Sequence, residues 1–281
     1  MSTAKCSDRA PPRARRRPRG RGPAQGRGGG GGGPVLLYGL HACAAALANP
    51  EREILAVFAS ANAAERLGPA LAGRGLRAEI EAPHELARRL GGDAVHQGIV
   101  VEARPLKPAR LADIAPAGPL IVLDQVTDPR NFGAIVRIAA AFAAAGLVIT
   151  RRHRPQTSGL VAKAASGGLE HVPLIEVANL ARALGEARAA GYLVAGLDSA
   201  GGALFEEIAG DEPLAIVLGA EDKGLRRLTR EACDGLYRIA LPGPISSLNV
   251  STAAALALHA VALARRGRGR TDSASAGNDV A

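Results

Sequence analysis

The sequence predicts an α/β fold in which a small α/β domain precedes a larger one built on a parallel sheet. Two observations carry this reading. After residue 119, six apolar runs, "LIVLD" (120–124), "GLVIT" (146–150), "VPLIEV" (172–177), "YLVAGL" (192–197), "LAIVLG" (214–219) and "YRIAL" (237–241), alternate with segments rich in Ala, Leu and Arg. Continuously apolar runs are those of strands buried on both faces, and a regular strand–helix alternation is the pattern of a parallel sheet. Such sheets place their ligands at the carboxyl ends of the strands.

Taken in order, residues 1–33 hold nine basic residues against Asp8 and end in the run Gly28–Gly33. They cannot bury enough surface to offset their ordering entropy and are expected to form a disordered tail. "VLLYGLHACAAALA" then reads as a strand followed by a helix, "EILAVFAS" as a strand, "ANAAERLGPALAGRG" as a helix and "HQGIVVEAR" as a closing strand, which makes residues 34–104 the small domain. Pro105, Pro108, Pro116 and Pro119 mark a linker over 105–118. Residues 119–266 form the parallel-sheet domain, and 267–281 a second disordered tail.

A chain of 281 residues with 47% hydrophobic residues has room for two modest cores. The formal charge of +9 sits in the tails, and residues 34–264 carry a net charge of −1. Only Lys5, Lys107, Lys163 and Lys223 of the 35 basic residues are lysines. The tail therefore reads either as a contact to RNA or DNA or as a solvated segment whose arginines reflect GC-rich coding. Seven aromatic residues in all argue against modules that stack bases on aromatic platforms.

Cys6, Cys43 and Cys233 are odd in number and far apart, which opposes a disulfide framework, and no C-x-x-C or H-x-x-x-H spacing offers a zinc site. The apolar run Ala253–Ala264 is too short to span a bilayer, so no membrane contact is expected. Pro11, Pro12 and Pro18 interrupt the basic amino terminus, which lacks the amphipathic period of a transit peptide. A cytoplasmic protein without metal is the expectation.

Three loops at strand ends carry the chemistry. In "LDQVTDPRNFGAIVRIAAAF", Asp128 followed by Pro129 is a helix start, with Asp as N-cap and Pro at the first helical position. Arg137 is the only charge from Asn131 through Gly146. It either snorkels to solvent or meets an anion, for which its planar fork is suited. In "LAIVLGAEDKGLRRLTREAC", Gly219 and Gly224 have P-loop spacing, but Leu225 and Arg226 stand where Lys and Ser or Thr are required. What remains is a strand that stops at Gly219, lets a ligand approach the backbone, and offers Glu221 as an acceptor. In "GPISSLNVSTAAALALHA", Ser246 or Ser247 is a candidate N-cap for an apolar helix. No G-x-S-x-G elbow and no strand-following G-x-G-x-x-G exists to support serine hydrolysis or dinucleotide binding.

In order and at strand ends, "DPRNFGAIVRIA", "IVLGAEDKGLRRLTREACD" and "IALPGPISSLNVSTAAALAL" resemble the three motifs of the SpoU family of RNA ribose 2′-O-methyltransferases, within the SPOUT class. Val35–Arg104 resembles that family's substrate-binding domain of ribosomal-protein L30e type, so the resemblance covers about residues 34–265. It implies a deep trefoil knot in the second domain, an exception to the rule that chains are not threaded. It also implies S-adenosylmethionine as cofactor, RNA as partner, a guanosine of 23S ribosomal RNA as target, and a homodimer with the active site near its interface. Transfer RNA is the alternative target, disfavoured by the separate amino-terminal domain, and a non-catalytic RNA-binding protein is the second alternative.

The resemblance places the adenine and methionine portions of the cofactor on backbone groups around Gly219, Ile239 and Leu248, with Ala220 and Leu241 nearby. Asn131 and Arg137 then face the ribose and its phosphate, while Glu221, Ser247, Asn249 and Ser251 position the reacting groups. Because guanidinium stays protonated, Arg137 is read as stabilising the developing alkoxide, with a phosphate or carboxylate taking the proton. Pro244 and Ile245 depart from the family pattern and stiffen the third loop.

Overall fold

A computed structural model describes residues 33–92, 94–155, 158–210 and 213–275, without the side chains of 267–275. The expected amino-terminal tail lies, apart from Gly33, outside the described residues. The first half comprises β1 (Val35–Tyr38), α1 (Leu40–Ala48), β2 (Ile54–Ala59), α2 (Ala61–Arg66), α3 (Gly68–Gly73), β3 (Glu79–Ile80), α4 (Pro83–Arg89) and β4 (Ile99–Ala103). The strands pair in the order β1-β4-β2-β3, with β4 antiparallel to both neighbours and β3 parallel to β2.

The helix expected after β2 is two helices, because Pro69 enters the first turn of α3 and cannot continue α2. The edge strand β3 and helix α4 carry little apolar signal, since Glu79 and Ile80 are both exposed. The proline-rich linker is not a free connector. Ala109 forms a parallel bridge to Ile175, its N–H donating to Leu174 O at 2.8 Å, and Leu111 is buried in a short 3-10 turn.

The second half comprises β5 (Leu120–Asp124), α5 (Pro129–Ala141), β6 (Gly146–Thr150), α6 (Gly159–Ala165), β7 (Leu174–Val177), α7 (Leu180–Ala189), β8 (Leu193–Leu197), β9 (Ala203–Leu204), β10 (Leu214–Gly219), α8 (Arg227–Glu231), β11 (Gly235–Arg238) and α9 (Val250–Ser275). Seven strands lie in the order β7-β6-β5-β10-β8-β11-β9, and every pairing is parallel. The expected strand over 237–241 instead spans 235–238: Tyr237 and Arg238 pair with β9, and Pro242, which lacks an N–H, follows closely. Helix α9 runs nine residues into the carboxyl-terminal segment expected to be disordered. Extending an existing helix costs far less than nucleating one, even through Gly267 and Gly269.

Alternation along the strands builds two cores. Ile121, Leu123, Leu147, Ile149 and Ile216 face α5, α6 and α9, while Leu120, Val122, Val148 and Val217 face Leu180, Ala183, Leu184 and Ala187 of α7. Helix α5 buries Phe132, Ile135, Val136 and Ala139 at helical spacing. Gly133 permits its close approach to α6, because a Cβ there would lie 2.5 Å from the Ala164 Cβ. The first core continues into the four-stranded sheet through Leu37, Val57, Ile99 and Val101.

Polar contacts fasten the same seam. Glu170 accepts from Arg52 at 2.5 and 3.1 Å and from Asn49 at 2.7 Å, with the Arg52 and Glu170 side chains 2% and 3% exposed. Arg52 also donates to Arg104 O at 2.9 Å.

Candidate active site

The chain leaves β5 toward β6 on one side, while β10, its neighbour, leads to strands on the other. The two strand ends, Asp124 and Gly219, are paired in register. This is the switch point at which a parallel sheet opens a crevice. Asp128 caps α5 as its position before Pro129 predicts, accepting from Arg130 N at 2.9 Å and Asn131 N at 2.8 Å. That capping holds Asn131 in the first turn, over the crevice.

Three segments distant in sequence meet there. Glu221 Oε1 accepts from Asn131 Nδ2 at 2.8 Å, from Asn249 Nδ2 at 2.6 Å and from Val250 N at 3.4 Å, and Asn249 Nδ2 also donates to Asn131 Oδ1 at 3.0 Å. The cap of α9 is Asn249 rather than Ser246 or Ser247. Its Oδ1 accepts from Ser251 N at 2.9 Å and Ser251 Oγ at 2.6 Å, while Asn249 O accepts from Ala253 N. One amide thus starts the helix and joins the cluster.

Beside the cluster, at the ends of β8, β10 and β11, lies a cavity of about 480 Å³. Its apolar wall includes Leu197, Leu218, Ile239, Leu241, Leu248 and Val250, and Gly219, Ala220, Glu221 and Ser247 also line it. Asp198, Glu221 and Asp222 are matched by Lys223, Arg230 and Arg238, so the lining presents both signs of charge. Asp198 pairs with Arg230.

Arg137 is not brought into this cavity. It stands on the exposed face of α5 and makes no hydrogen bond or ion pair among the described residues. Ser247 is likewise exposed and unpartnered among them.

Gly219 has a different reason from the one its sequence suggests. A Cβ there would lie 2.2 Å from Gly224 C and 2.5 Å from Leu225 N, so the space is filled by the chain's own loop folding back. Gly224, at φ +60°, closes that loop through its bridge to Ala220. Sequence reasoning also passed over Asp124. This fully buried carboxylate accepts from Arg226 N at 2.9 Å and Nε at 2.7 Å and ties the end of β5 to the loop after β10. Their separation of 102 residues hides the pairing, and its only trace is a charge ending an apolar strand.

Among the described residues no group of three or more His, Cys, Asp or Glu is placed to hold a metal ion, and no helix is long and apolar enough to cross a membrane.

The family model described as SpoU rRNA Methylase matches residues 118–259. The chain belongs to the SpoU methylase family. A second family model, RNA 2′-O ribose methyltransferase substrate binding, matches residues 36–109. A putative TrmH family tRNA/rRNA methyltransferase, YacO, of Bacillus subtilis is 39% identical over 173 residues, 59% of this chain and 70% of that one. An uncharacterized tRNA/rRNA methyltransferase of Mycobacterium ulcerans is 35% identical over 193 residues, 66% of this chain but 62% of the relative, so the chain spans less than two thirds of that protein. Among solved structures, an AdoMet-bound rRNA methyltransferase from Sinorhizobium meliloti aligns with a TM-score of 0.70 at 24% identity, covering 83% of this chain and 87% of that one. At that identity the likeness is one of fold, and it takes in both sheets of this SpoU family member.

Proposed function

We propose that this chain transfers a methyl group from S-adenosylmethionine to a ribose 2′-hydroxyl of RNA, with a guanosine of 23S ribosomal RNA as target. The observation that carries the proposal is the Asn131–Glu221–Asn249 cluster, assembled from three loops beside a cavity in a SpoU family chain. Residues 34–104 serve as substrate-binding domain and 119–266 as methyltransferase domain, joined by 105–118. The loops after β10 and β11 are proposed to be threaded as a deep trefoil knot, a reading supported by the return of Asn249 from beyond β11 to the ends of β5 and β10.

The cavity suits the cofactor in size and lining. About 480 Å³ falls within the 300–1,000 Å³ usual for such ligands. Its apolar wall fits an adenine, and its balanced charges fit a zwitterionic methionine portion with an added positive sulfonium. Backbone groups around Gly219 and Ala220, with Ile239, Leu241 and Leu248, would hold it. When bound, S-adenosylmethionine supplies a methyl group already activated by the sulfonium charge.

The chain's own residues orient and deprotonate the ribose. Asn131 and Asn249 are held by Glu221 and by each other, so their amides are preorganised to fix a hydroxyl without further ordering cost. Glu221 Oε1 is already saturated with donors, which leaves Oε2, unpartnered among the described residues, as the carboxylate atom able to take a proton. Ser247, from the cavity wall, adds a hydroxyl beside the reacting groups. Arg137 stays protonated and offers its fork to a substrate phosphate and to the alkoxide.

We place the enzyme in the cytoplasm as a homodimer. The unpaired thiols Cys43 and Cys233 support the compartment. Leu256 and Leu263, exposed on α9 seven positions apart, support a second copy there, near α5 with its exposed Arg137.

The experiment is to incubate the full chain with methyl-labelled S-adenosylmethionine and total RNA, then digest and identify the modified nucleoside. Label in 2′-O-methylguanosine of 23S RNA is the expected result. Label in transfer RNA would replace the target, and RNA binding without label transfer would replace the function by a non-catalytic one.

A further inference from the structure

A second cavity, of about 410 Å³, opens at the carboxyl ends of β6 and β7, on the other side of the switch point. It lies between the turn after β6, the start of α7 and the start of α8. Its lining includes Arg152, His153, Arg226 and Arg227 and contains no acidic residue, in contrast to the mixed charges of the cavity beside β10. Arg152 is exposed and makes no hydrogen bond or ion pair among the described residues. Arg226 is held by the buried Asp124, and Arg227 by Glu231 at 2.6 Å, so two of the three guanidinium groups are already ordered. The rest of the lining is mostly apolar: Ala178, Leu180, Ala181 and Leu228, the last 60% exposed.

An apolar floor rimmed by three guanidinium groups, of which Arg152 has no carboxylate partner among the described residues, suits one ligand chemistry in particular. A nucleobase lies against the aliphatic side chains and an arginine plane while its phosphate meets the forks. The volume lies within the range of about 300–1,000 Å³ for small-ligand sites and holds one nucleotide.

The cavity is also physically joined to the polar cluster. The segment from Gly219 to Arg226 lines the cofactor cavity at its start and this one at its end, and the Asp124–Arg226 pair pins it between them. Gln125, next to Asp124 and at φ 62°, reaches His153 at 3.5 Å.

We infer that this cavity binds a nucleotide of the substrate RNA that flanks the methylated one, splayed from its neighbours and gripped through its phosphate by Arg152 and Arg227. The inference rests on the methyltransferase reading for the orientation of the strand. It adds a second, separate contact that selects single-stranded substrate around the target.

The test uses the full chain and a fluorescein-labelled single-stranded RNA of twelve mixed nucleotides, with binding followed by anisotropy. Arg152→Ala and Ala178→Glu are each expected to weaken binding at least about tenfold. Arg152→Ala should also flatten the salt dependence by about 0.7 in log–log slope, the value for one phosphate contact on a single strand. Arg182→Ala removes an equal charge from the outward face of α7, where Arg182 is 82% exposed, and is expected to stay within about twofold of the parent. All three should melt within about 2 °C of the parent, as exposed substitutions do.

Guanosine monophosphate should displace the RNA at concentrations where inorganic phosphate does not. Equal displacement by phosphate would reduce the cavity to an anion site and overturn the nucleotide assignment. Parent-like binding by Ala178→Glu, or absence of saturable binding by the parent, would overturn it as well. Methyl transfer is measured on the same preparations: a parent that binds through this cavity yet transfers no label would sink the methyltransferase reading and leave this one standing.

Discussion

The two sheets of the molecule make opposite use of strand direction. In the seven-stranded sheet every strand runs the same way, so the loops after β5, β10 and β11 all open on one edge, where Asn131, Glu221 and Asn249 meet. In the four-stranded sheet, β4 opposes both its neighbours, so the loops are shared between two edges, and the polar side chains gathered beside it, Asn49 and Arg52, are taken up by Glu170 of the other half. In the proposed function the parallel sheet concentrates the chemistry, and the mixed sheet positions the substrate. Positioning requires that the two be fixed to each other, which the buried Arg52–Glu170 pair and the shared core accomplish.

The largest expected effect breaks that fixation. Glu170→Ala strands Arg52, 2% exposed, without its carboxylate, and the loss of one partner of a buried pair costs about 3–5 kcal/mol. Urea unfolding should show that loss in a single transition. A loss under about 1 kcal/mol, within the range of exposed pairs, would mean that the seam does not depend on it.

Next comes Arg137, exposed on α5 outside the cluster and proposed to meet the substrate. Arg137→Lys keeps the charge and removes the fork, and turnover at saturating RNA should fall about 10–100-fold, less than the roughly 100–1,000-fold for a transition-state donor lost outright, because the charge remains. Near-full turnover would make a bidentate role untenable.

Smaller again is the contribution of the basic amino terminus. Deleting residues 1–33, with nine basic residues, should weaken RNA binding and flatten its salt dependence while leaving cofactor affinity unchanged. Equal slopes for the full and shortened chains would show the tail to be a bystander.

Without effect on the proposed function, the two cores are set against each other through their thiols. Burial pushes Cys43, in the small sheet's core, up to about 12 from an ordinary 9.0, and pushes Cys233, beside Asp234, up to about 11. A raised pKa keeps the unreactive thiol at pH 8, so native alkylation by iodoacetamide should be slowed more at Cys43, about a thousandfold against about a hundredfold. Faster labelling of Cys43 would mean that the small domain opens locally more often than the large one.

How much of this was legible in the sequence follows the same division. The strands at 120–124, 146–150 and 214–219 stand where their apolar runs predict, because continuously apolar runs of five or six residues have the length of a strand buried on both faces and are too short for a helix. The small sheet is less readable. Its edge strand β3 is two exposed residues, and a proline divides the helix after β2.

In the site, residue types at strand ends were readable because they belong to contiguous motifs. What sequence could not supply were pairings across long separations, such as Asp124 with Arg226. The same holds for the division of labour within Asn249, where one side chain caps α9 with its oxygen and joins Glu221 with its nitrogen. Gly219 shows the limit from the other side: a glycine at a strand end invites a ligand in sequence, yet the space it leaves is taken by the loop itself.

The central claim is that Asn131, Glu221 and Asn249 act as one reaction centre. It is tested most directly by single-turnover methyl transfer in Glu221→Ala, Asn249→Ala and the double variant, with S-adenosylmethionine affinity measured alongside. Each single variant should lose about 100-fold or more in rate with cofactor affinity changed less than about threefold, and the double variant should lose little beyond either single one, as groups acting as a unit do. Parent-like rates in the single variants, or losses in the double variant that simply multiply, would contradict it.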